Sequence, residues 1–329
     1  MNVLVTGGAG YIGSHAVKRL VELGHRVVVV DNLYRGHREA VSPEAHFYKL
    51  ALGETAKLAE AMAQHEIECV MHFAAVAYVG ESVAKPLDYY DNNTAGAVSL
   101  VKAMRQAGVH KLVFSSTCAT YGEPEAVPIV ETMNQRPISP YGRSKWFVEQ
   151  ILQDTLAADP DFSFVALRYF NVAGAAADGS LGEDHRPETH LIPIILQAAL
   201  GQREAITIFG TDYPTPDGTC IRDYIHVEDL CAAHICAMET LRPGEGRFYN
   251  LGIGQGYSVR EVLEAAKRVT GREIPVEIGP SRAGDPAELY ADSTKIQTEL
   301  GWKPQYCEID PIVATAWEWY KSHPAGYGD

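Results

Sequence analysis

The first half of the chain alternates short apolar runs with longer stretches of helical period. NVLVT, RVVVVD, HFYKLAL, CVMHFAA, KLVFSST and FSFVALRYF are rich in β-branched and aromatic residues, and they predict buried strands. Between them the apolar positions recur every three to four residues, over 12–23, 55–64, 87–107 and 140–157, which predicts helices. Strand–helix alternation of this kind predicts a parallel sheet covered by helices on both faces, a Rossmann-type doubly wound α/β fold. The rhythm breaks near residue 175. A stretch rich in Gly, Ala and charge over 175–188 reads as a loop leading into the helix of HLIPIILQAAL. Beyond it, short strands (AITIF, FYNLG, PVEIG) mix with helices over 258–270 and 311–320. The division expected is 1–175 as a dinucleotide-binding domain and 176–329 as a smaller mixed α/β substrate domain. RDYIHVEDLCAAHICAMETL, within 220–250, is strand-like and then helical, and it could return to pack on the first domain.

Two local patterns carry chemistry. VTGGAGYIGSH spaces Gly7, Gly10 and Gly13 three apart between a strand and a helix. Such a loop turns tightly, lets a pyrophosphate approach the backbone, and offers it free amides and the positive end of a helix dipole. The next strand ends in Asp31, placed to accept from adenosine ribose hydroxyls and to repel a 2′-phosphate; this favours NAD over NADP. The second pattern is SPYGRSK, with Tyr141 and Lys145 one helical turn apart just past Pro140. A free tyrosine ionises near pH 10, and a neighbouring cation favours its phenolate, so the pair could be a tuned base. An ordinary surface Tyr–Lys pair would have the same spacing.

The 329 residues suffice for one large domain or two. Apolar residues make up 46% and charged ones 21%, and 28 basic against 42 acidic side chains give a formal net charge of −14. With no long basic run, nucleic acid and anionic membranes are poor partners, and an anionic ligand would need a few local arginines and amides. Cys69, Cys118, Cys220, Cys231, Cys236 and Cys307 form no CxxC pair, which suits reduced thiols in a cytoplasm and argues against a zinc framework. Met1 leads straight into a strand-like run, leaving no expected signal peptide, and no apolar stretch reaches membrane-spanning length.

Taken together, GGAGYIGSH, DNLYRGH, HFAAVAYVGES, YYDNN, FSSTCATYGEP, SPYGRSK, RYFNVAGA and FGTDYPTPDGTCIRDYIHV resemble the UDP-glucose 4-epimerase family of the extended short-chain dehydrogenase/reductase superfamily. The resemblance runs in order over essentially the whole chain. It implies a permanently held NAD and 4-epimerisation of a UDP-sugar, by transient oxidation at C4 and non-stereospecific return of the hydride. Tyr141 would be the base, acting directly or through Thr117, with Lys145 holding the nicotinamide ribose and keeping the phenol acidic. The cofactor positions implied are Gly7, Gly10, Tyr11, Ile12, Gly13, Asp31, Asn32, Leu52, Phe73, Ala74, Ala75, Ala77, Asn92 and Phe170, with Thr117, Tyr141 and Lys145. For the nucleotide sugar they are Asn171, His190, Leu191, Thr207, Ile208, Phe209, Arg222, Arg282, Asp285 and Leu289. Without the resemblance, Arg222 beside Asp223 would read as a surface ion pair. The resemblance also implies a homodimer joined through a helix pair of the first domain.

The chain departs from the family pattern at several points. Ala51-Leu52 replaces an Asp-aliphatic pair that meets the adenine amino group, removing a hydrogen bond of on the order of 1 kcal/mol and implying looser NAD retention. Ala77 stands where a basic residue is common, and His190 where some members have asparagine. Leu289 is intermediate between the bulky and small residues found at the sugar pocket, so hexose, N-acetylhexosamine and pentose stay open. UDP-arabinose/UDP-xylose 4-epimerases carry very similar blocks. A nucleotide-sugar 4,6-dehydratase needs an acid pair after the Ser/Thr, where this chain has Cys118-Ala119. A non-catalytic NAD-binding protein would be expected to have lost Tyr141 or Lys145.

Overall fold

A computed structural model of the chain describes residues 1–281 and 286–328. Its centre is a seven-stranded sheet whose neighbouring strands are all parallel. In chain order, β1 (Asn2–Thr6), α1 (Tyr11–Glu22), β2 (Arg26–Asp31), β3 (His46–Lys49), α2 (Thr55–Gln64) and β4 (Cys69–His72) come first. Next follow α3 (Val79–Ala84), α4 (Pro86–Tyr89), α5 (Gly96–Ala107), β5 (Lys111–Ser115), α6 (Pro140–Ala158) and β6 (Ser163–Tyr169). β1, β2, β4, β5 and β6 are buried nearly throughout, which is why they read as continuous apolar runs and not as alternation. One apolar cluster lies on each face: Val3, Val5, Val29, Met71 and Val113 point to one side, and Leu4, Val28, Val30, Leu112 and Phe114 to the other.

The second half supplies β7 (Asn171–Ala173), α7 (Leu191–Ala199), β8 (Ile206–Phe209), β9 (Ile221–Arg222) and β10 (Tyr224–His226). After these come α8 (Val227–Thr240), β11 (Gly246–Leu251), β12 (Tyr257–Ser258), α9 (Val259–Thr270) and β13 (Val276–Gly279). The chain closes with β14 (Glu288–Leu289), α10 (Thr294–Leu300) and α11 (Ile309–Ser322). A second core joins α7, α9 and α11 under β8 and β13, through residues such as Ile195, Leu196, Val262, Ile312 and Trp319.

Three expectations need correction. The run FYNLG does not lie among the C-terminal strands: β11 pairs in parallel with β6 and completes the central sheet, in the order β11-β6-β5-β4-β1-β2-β3. Its preceding helix, α8, packs on the same face as α1, through Leu230, Ala233 and Ala237. The strand read over HFYKLAL stops at Lys49, where Leu50 instead donates its amide to the Asp31 carbonyl. The helix expected over 87–107 is not continuous. A π-helical turn, Tyr90–Ala95, separates α4 from α5, and such turns disturb the even spacing of side chains that periodicity relies on.

Helix α6 is fixed to the sheet by charge. Glu149, wholly buried, takes Nε and Nη2 of Arg168 on β6 at 2.9 and 2.7 Å, the Ser116 hydroxyl at 2.6 Å and the Gln135 amide at 2.7 Å. Removing one partner of such a pair leaves the other charge buried and uncompensated. Glu149→Ala is predicted to cost on the order of 3–5 kcal/mol in denaturant unfolding. A loss comparable to that of an exposed ion pair would show that the pair does not anchor the helix.

Candidate active site

The glycine loop follows β1 directly. Gly7 has φ +74°, and a Cβ there would meet the Ala74 backbone at 2.5 Å, so the loop and the segment after β4 pass too closely for a side chain. Gly13 lies on α1 against the loop, where a Cβ would fall 2.1 Å from the Gly7 carbonyl. At Gly10, by contrast, a Cβ would meet one atom only, the Gly7 carbonyl at 3.3 Å. The side of Gly10 that faces away from the protein is therefore open, with the first amides of α1 beside it, and this is the geometry that accepts a diphosphate. Tyr11 contributes backbone there, since its hydroxyl is buried and donates to the Gly174 carbonyl at 2.6 Å. Ile12 packs into the core beside it.

Asp31 ends β2 and is almost buried. Its carboxylate accepts the Ala9 amide at 3.0 Å and the Leu33 amide at 2.8 Å; burial raises its pKa and these amides oppose the rise. Asn32 is exposed and accepts the Tyr34 amide at 3.0 Å. Leu52 is buried and lies where a Cβ on Gly96 would meet it at 3.0 Å. Phe73 and Ala74 donate their amides to the Thr6 carbonyl, tying the segment after β4 to β1; Ala75 is half-buried and Ala77 exposed. The loop, Asp31 and this segment all lie at the carboxyl ends of the strands. β1 and β4 mark the place where the strand order reverses, and such crevices bind nucleotides.

The catalytic candidates meet across the end of β5. Ser139 caps α6 by accepting the Gly142 amide at 3.1 Å, with Pro140 at the first helical position. A Cβ on Gly142 would lie 2.4 Å from the Ala119 carbonyl, so only glycine lets the first turn of α6 press on the turn that follows Thr117. Tyr141 and Thr117 thereby come to the same end of β5, while the Thr117 hydroxyl accepts the Ala119 amide at 3.2 Å. Burial pushes the Tyr141 phenol up to about 12, and the neighbouring Thr117 hydroxyl pulls it back in part. One turn on, Lys145 donates to the Ser115 carbonyl at 2.9 Å and stands 4.9 Å from the Phe114 ring centre. Burial pushes its ammonium down to about 7, against the opposing pull of Glu149. Among the described residues the Lys145 hydrogen bond runs to the Ser115 carbonyl and none runs to the Tyr141 hydroxyl. Its ammonium has three donors and gives one to Ser115, leaving a donor set that suits adjacent ribose hydroxyls.

Asn92 lies in the π-helical turn and donates to Asn93 at 3.0 Å. Sequence reasoning missed Asn93, whose buried amide accepts from the Val76 amide and donates to the Val76 carbonyl and the Ser144 hydroxyl. Ser144 in turn donates to the Tyr141 carbonyl at 2.8 Å. Asn93 thus joins the cofactor side of the crevice to the catalytic turn. The duplicated asparagine of YYDNN was its only signal in the sequence.

On the other side, Phe170 and Leu289 share an apolar cluster with Cys118 and Tyr121. Leu289 pairs with Arg222 in the β14–β9 ladder. Arg222 donates to the Ile221 carbonyl at 2.7 Å, and it is the main group holding down a Cys118 thiol that burial raises to about 12, which places the guanidinium beside the Thr117 turn. The surface-pair reading of Arg222 with Asp223 fails, because Asp223 is wholly buried and accepts the Ile253 and Ala291 amides. Asn171 opens β7 and donates its amide to the Asp223 carbonyl. His190 and Leu191 begin α7, with His190 turned toward Glu183 and Glu188. Thr207 and Phe209 are accessible on β8, whereas the Ile208 side chain is in the second core, so that only its backbone faces a ligand. Arg282 and Asp285 lie outside the described residues.

The Lys145 environment has a pH signature. A lysine that titrates near 7 when folded and near 10.5 when unfolded binds fewer protons in the native state between those values. Stability must then rise with pH across that window, as the cost of a buried ammonium disappears. Wild-type protein is predicted to gain stability relative to Lys145→Met between pH 7 and 10, by thermal or denaturant unfolding. A constant difference across that range would show that Lys145 is not desolvated.

Comparison with known proteins agrees with this geometry. Residues 3–252 match the model of the NAD dependent epimerase/dehydratase family. The chain is 53% identical over 330 residues to a UDP-glucose 4-epimerase of Lacticaseibacillus casei, covering 100% of this chain and 99% of that one. It is 48% identical to a probable UDP-arabinose 4-epimerase of Oryza sativa, over 99% of this chain and 84% of that protein. The crystal structure of a UDP-glucose 4-epimerase from Bifidobacterium longum in complex with NAD+ and UDP superimposes with a TM-score of 0.95 at 41% identity, covering 99% and 100% of the two chains. By its motifs, its fold and these relatives, the chain belongs to the NAD dependent epimerase/dehydratase family, among the UDP-glucose 4-epimerases.

Proposed function

We propose that the protein is an isomerase that interconverts UDP-galactose and UDP-glucose, holding NAD in the crevice at the carboxyl ends of the strands. The observation that carries the reading is the packing of the Tyr141 turn against the Thr117 turn through Gly142, with the buried Lys145 one helical turn on held to the Ser115 carbonyl. Residues 1–175, completed by α8 and β11, bind the cofactor, and the remaining C-terminal residues bind the nucleotide sugar.

NAD, when bound, would supply an oxidised, positively charged ring that accepts a hydride and, once reduced and neutral, gives it back. Gly10 and the start of α1 receive the pyrophosphate, Asp31 accepts from the adenosine ribose, and Lys145 donates to the nicotinamide ribose. Thr117 holds the sugar 4-hydroxyl and Tyr141 takes its proton as C4 is oxidised; Tyr141 later gives the proton back at the inverted centre. Burial alone keeps the phenol protonated, so nearby positive charge must lower it before it can accept a proton. Arg222 binds the diphosphate, and Phe170 and Leu289 line the sugar pocket. A dehydratase would need proton donors at Cys118 and Ala119, which have none suited to the task. A pentose 4-epimerase is the second reading, favoured by the rice relative.

The reading places the enzyme in galactose metabolism in the cytoplasm, as a homodimer. No described helix is long and apolar enough to cross a membrane. Val79, Val83, Leu87 and Phe147 are exposed on α3, α4 and α6, and these apolar side chains on adjoining helices suit burial against a second copy. Light scattering is expected to report a dimer that Leu87→Glu weakens; a wild-type monomer at micromolar concentration would refute it.

Tyr141→Phe keeps the ring and removes the proton acceptor. It is expected to lower kcat for UDP-galactose by about 10²–10⁴-fold with little change in KM. Retention of most of the activity would remove Tyr141 as the base.

A further inference from the structure

The loop that leads into α7 carries a cluster of which only His190 is among the positions expected at the nucleotide sugar. Glu183, His185, Glu188 and His190 each turn one ligand-type atom to a common point, and these four atoms all lie within 4.8 Å of one another. His190 Nδ1 is 2.9 Å from carboxylate oxygens of both Glu183 and Glu188, and His185 Nδ1 is 3.1 Å from Glu183 and 3.6 Å from Glu188. Both carboxylates are almost fully buried, with side-chain exposures of 5% and 2%.

Hydrogen bonding accounts for only part of this arrangement. Glu188 Oε1 is well used, accepting the amides of Thr189 and His190 and contacting the His190 ring. Glu188 Oε2, on the same buried carboxylate, has no hydrogen-bond partner, and neither has His185 Nδ1. His185 Nδ1 lies at hydrogen-bond distance from Glu183, yet its geometry does not make a bond. Buried polar atoms left in this state call for an explanation. The His190 ring is hydrogen-bonded to Glu188 Oε1, but Glu188 Oε2 and His185 Nδ1 stay unpaired beside it, and a cation between the four groups would satisfy both.

We propose that Glu183, His185, Glu188 and His190 bind a divalent transition-metal ion, of the zinc class. Two imidazoles with two carboxylates form a borderline nitrogen–oxygen set that suits zinc, cobalt or iron(II) better than magnesium or calcium, which prefer all-oxygen shells. A tetrahedral ion with bonds of about 2.0–2.2 Å separates its ligands by about 3.3–3.6 Å, so the 2.9 Å contacts of His190 would open and the widest separations, within 4.8 Å, would close by side-chain rotation. The ion's two charges offset the two buried carboxylates.

The position gives the ion a structural task. The same loop is held to the first half of the molecule by the Tyr78 hydroxyl on the Pro187 carbonyl at 2.9 Å and by the His37 ring on the Asp184 carbonyl at 3.0 Å. An ion bound within the loop fixes its shape between these attachments and the start of α7. The site owes nothing to the assignment of the epimerase chemistry, and its test does not use turnover.

Full-length protein freed of metal by chelator and gel filtration would be titrated with Co²⁺ and then with Zn²⁺, following visible absorption and heat of binding. The expected result is one equivalent of Co²⁺ with the intense absorption of a four-coordinate centre, displaced by Zn²⁺. Glu183→Gln and His185→Gln should each weaken binding by more than about tenfold while leaving NAD binding intact. Binding undiminished in both variants would overturn the proposal, because it would place the ion elsewhere, for example near His25, His46 and His65. Should either variant fail to fold, the wild-type spectrum alone decides: a weak six-coordinate spectrum, or no stoichiometric uptake, refutes the site.

Discussion

The buried bond between Glu149 and Arg168 fixes α6, and with it Tyr141 and Lys145, against the central sheet. α6 carries Tyr141 and Lys145 in its first two turns and Glu149 one turn later, on the same face. Arg168 belongs to β6, between β11 and β5 in the central sheet. A bidentate pair has a narrow range of allowed geometries, and this one is closed further by Ser116 and Gln135, so the helix has one register on the sheet. Ser116 stands between Ser115, which holds Lys145, and Thr117, which meets Tyr141. The anchor and the chemistry therefore share one three-residue stretch at the end of β5.

Burial has opposite effects on the two groups that this anchor positions. It raises the phenol of Tyr141 and lowers the ammonium of Lys145, so each is driven toward its neutral form. The phenol therefore stays protonated until positive charge is brought beside it. Phe170 and Leu289, packed with Cys118 and Tyr121, give the Thr117 turn an apolar flank.

Much of this was legible in the sequence because it is local. Uniformly apolar strands, the glycines at 7, 10 and 13, the acid at 31 and the YGRSK turn each specify structure within a dozen residues. The rest depends on contacts between distant segments. β11 joins the central sheet some 80 residues after β6, and nothing in FYNLG distinguishes that from a strand of the C-terminal half. The π-helical turn at Tyr90–Ala95 shifts the helical phase, which hid Asn93 and its bridge from Val76 to Ser144. Glu149 and Arg168 looked like ordinary charged residues because their partnership spans a helix and a strand. Gly142 was read as part of a motif, and its role in letting α6 touch Ala119 needed the neighbouring turn in place. The histidines and glutamates of the loop before α7 were visible as residues, but nothing in their spacing marks that four of their side chains lie together.

A crevice that inverts C4 of a UDP-sugar with NAD bound in it needs no other oxidant or reductant. Purified protein mixed with UDP-galactose, with no nicotinamide cofactor added, and followed through the anomeric proton signals by NMR tests this most directly. The account predicts the growth of UDP-glucose until the two sugars reach a constant ratio. Unchanged UDP-galactose, both without NAD and after NAD is supplied, would contradict it.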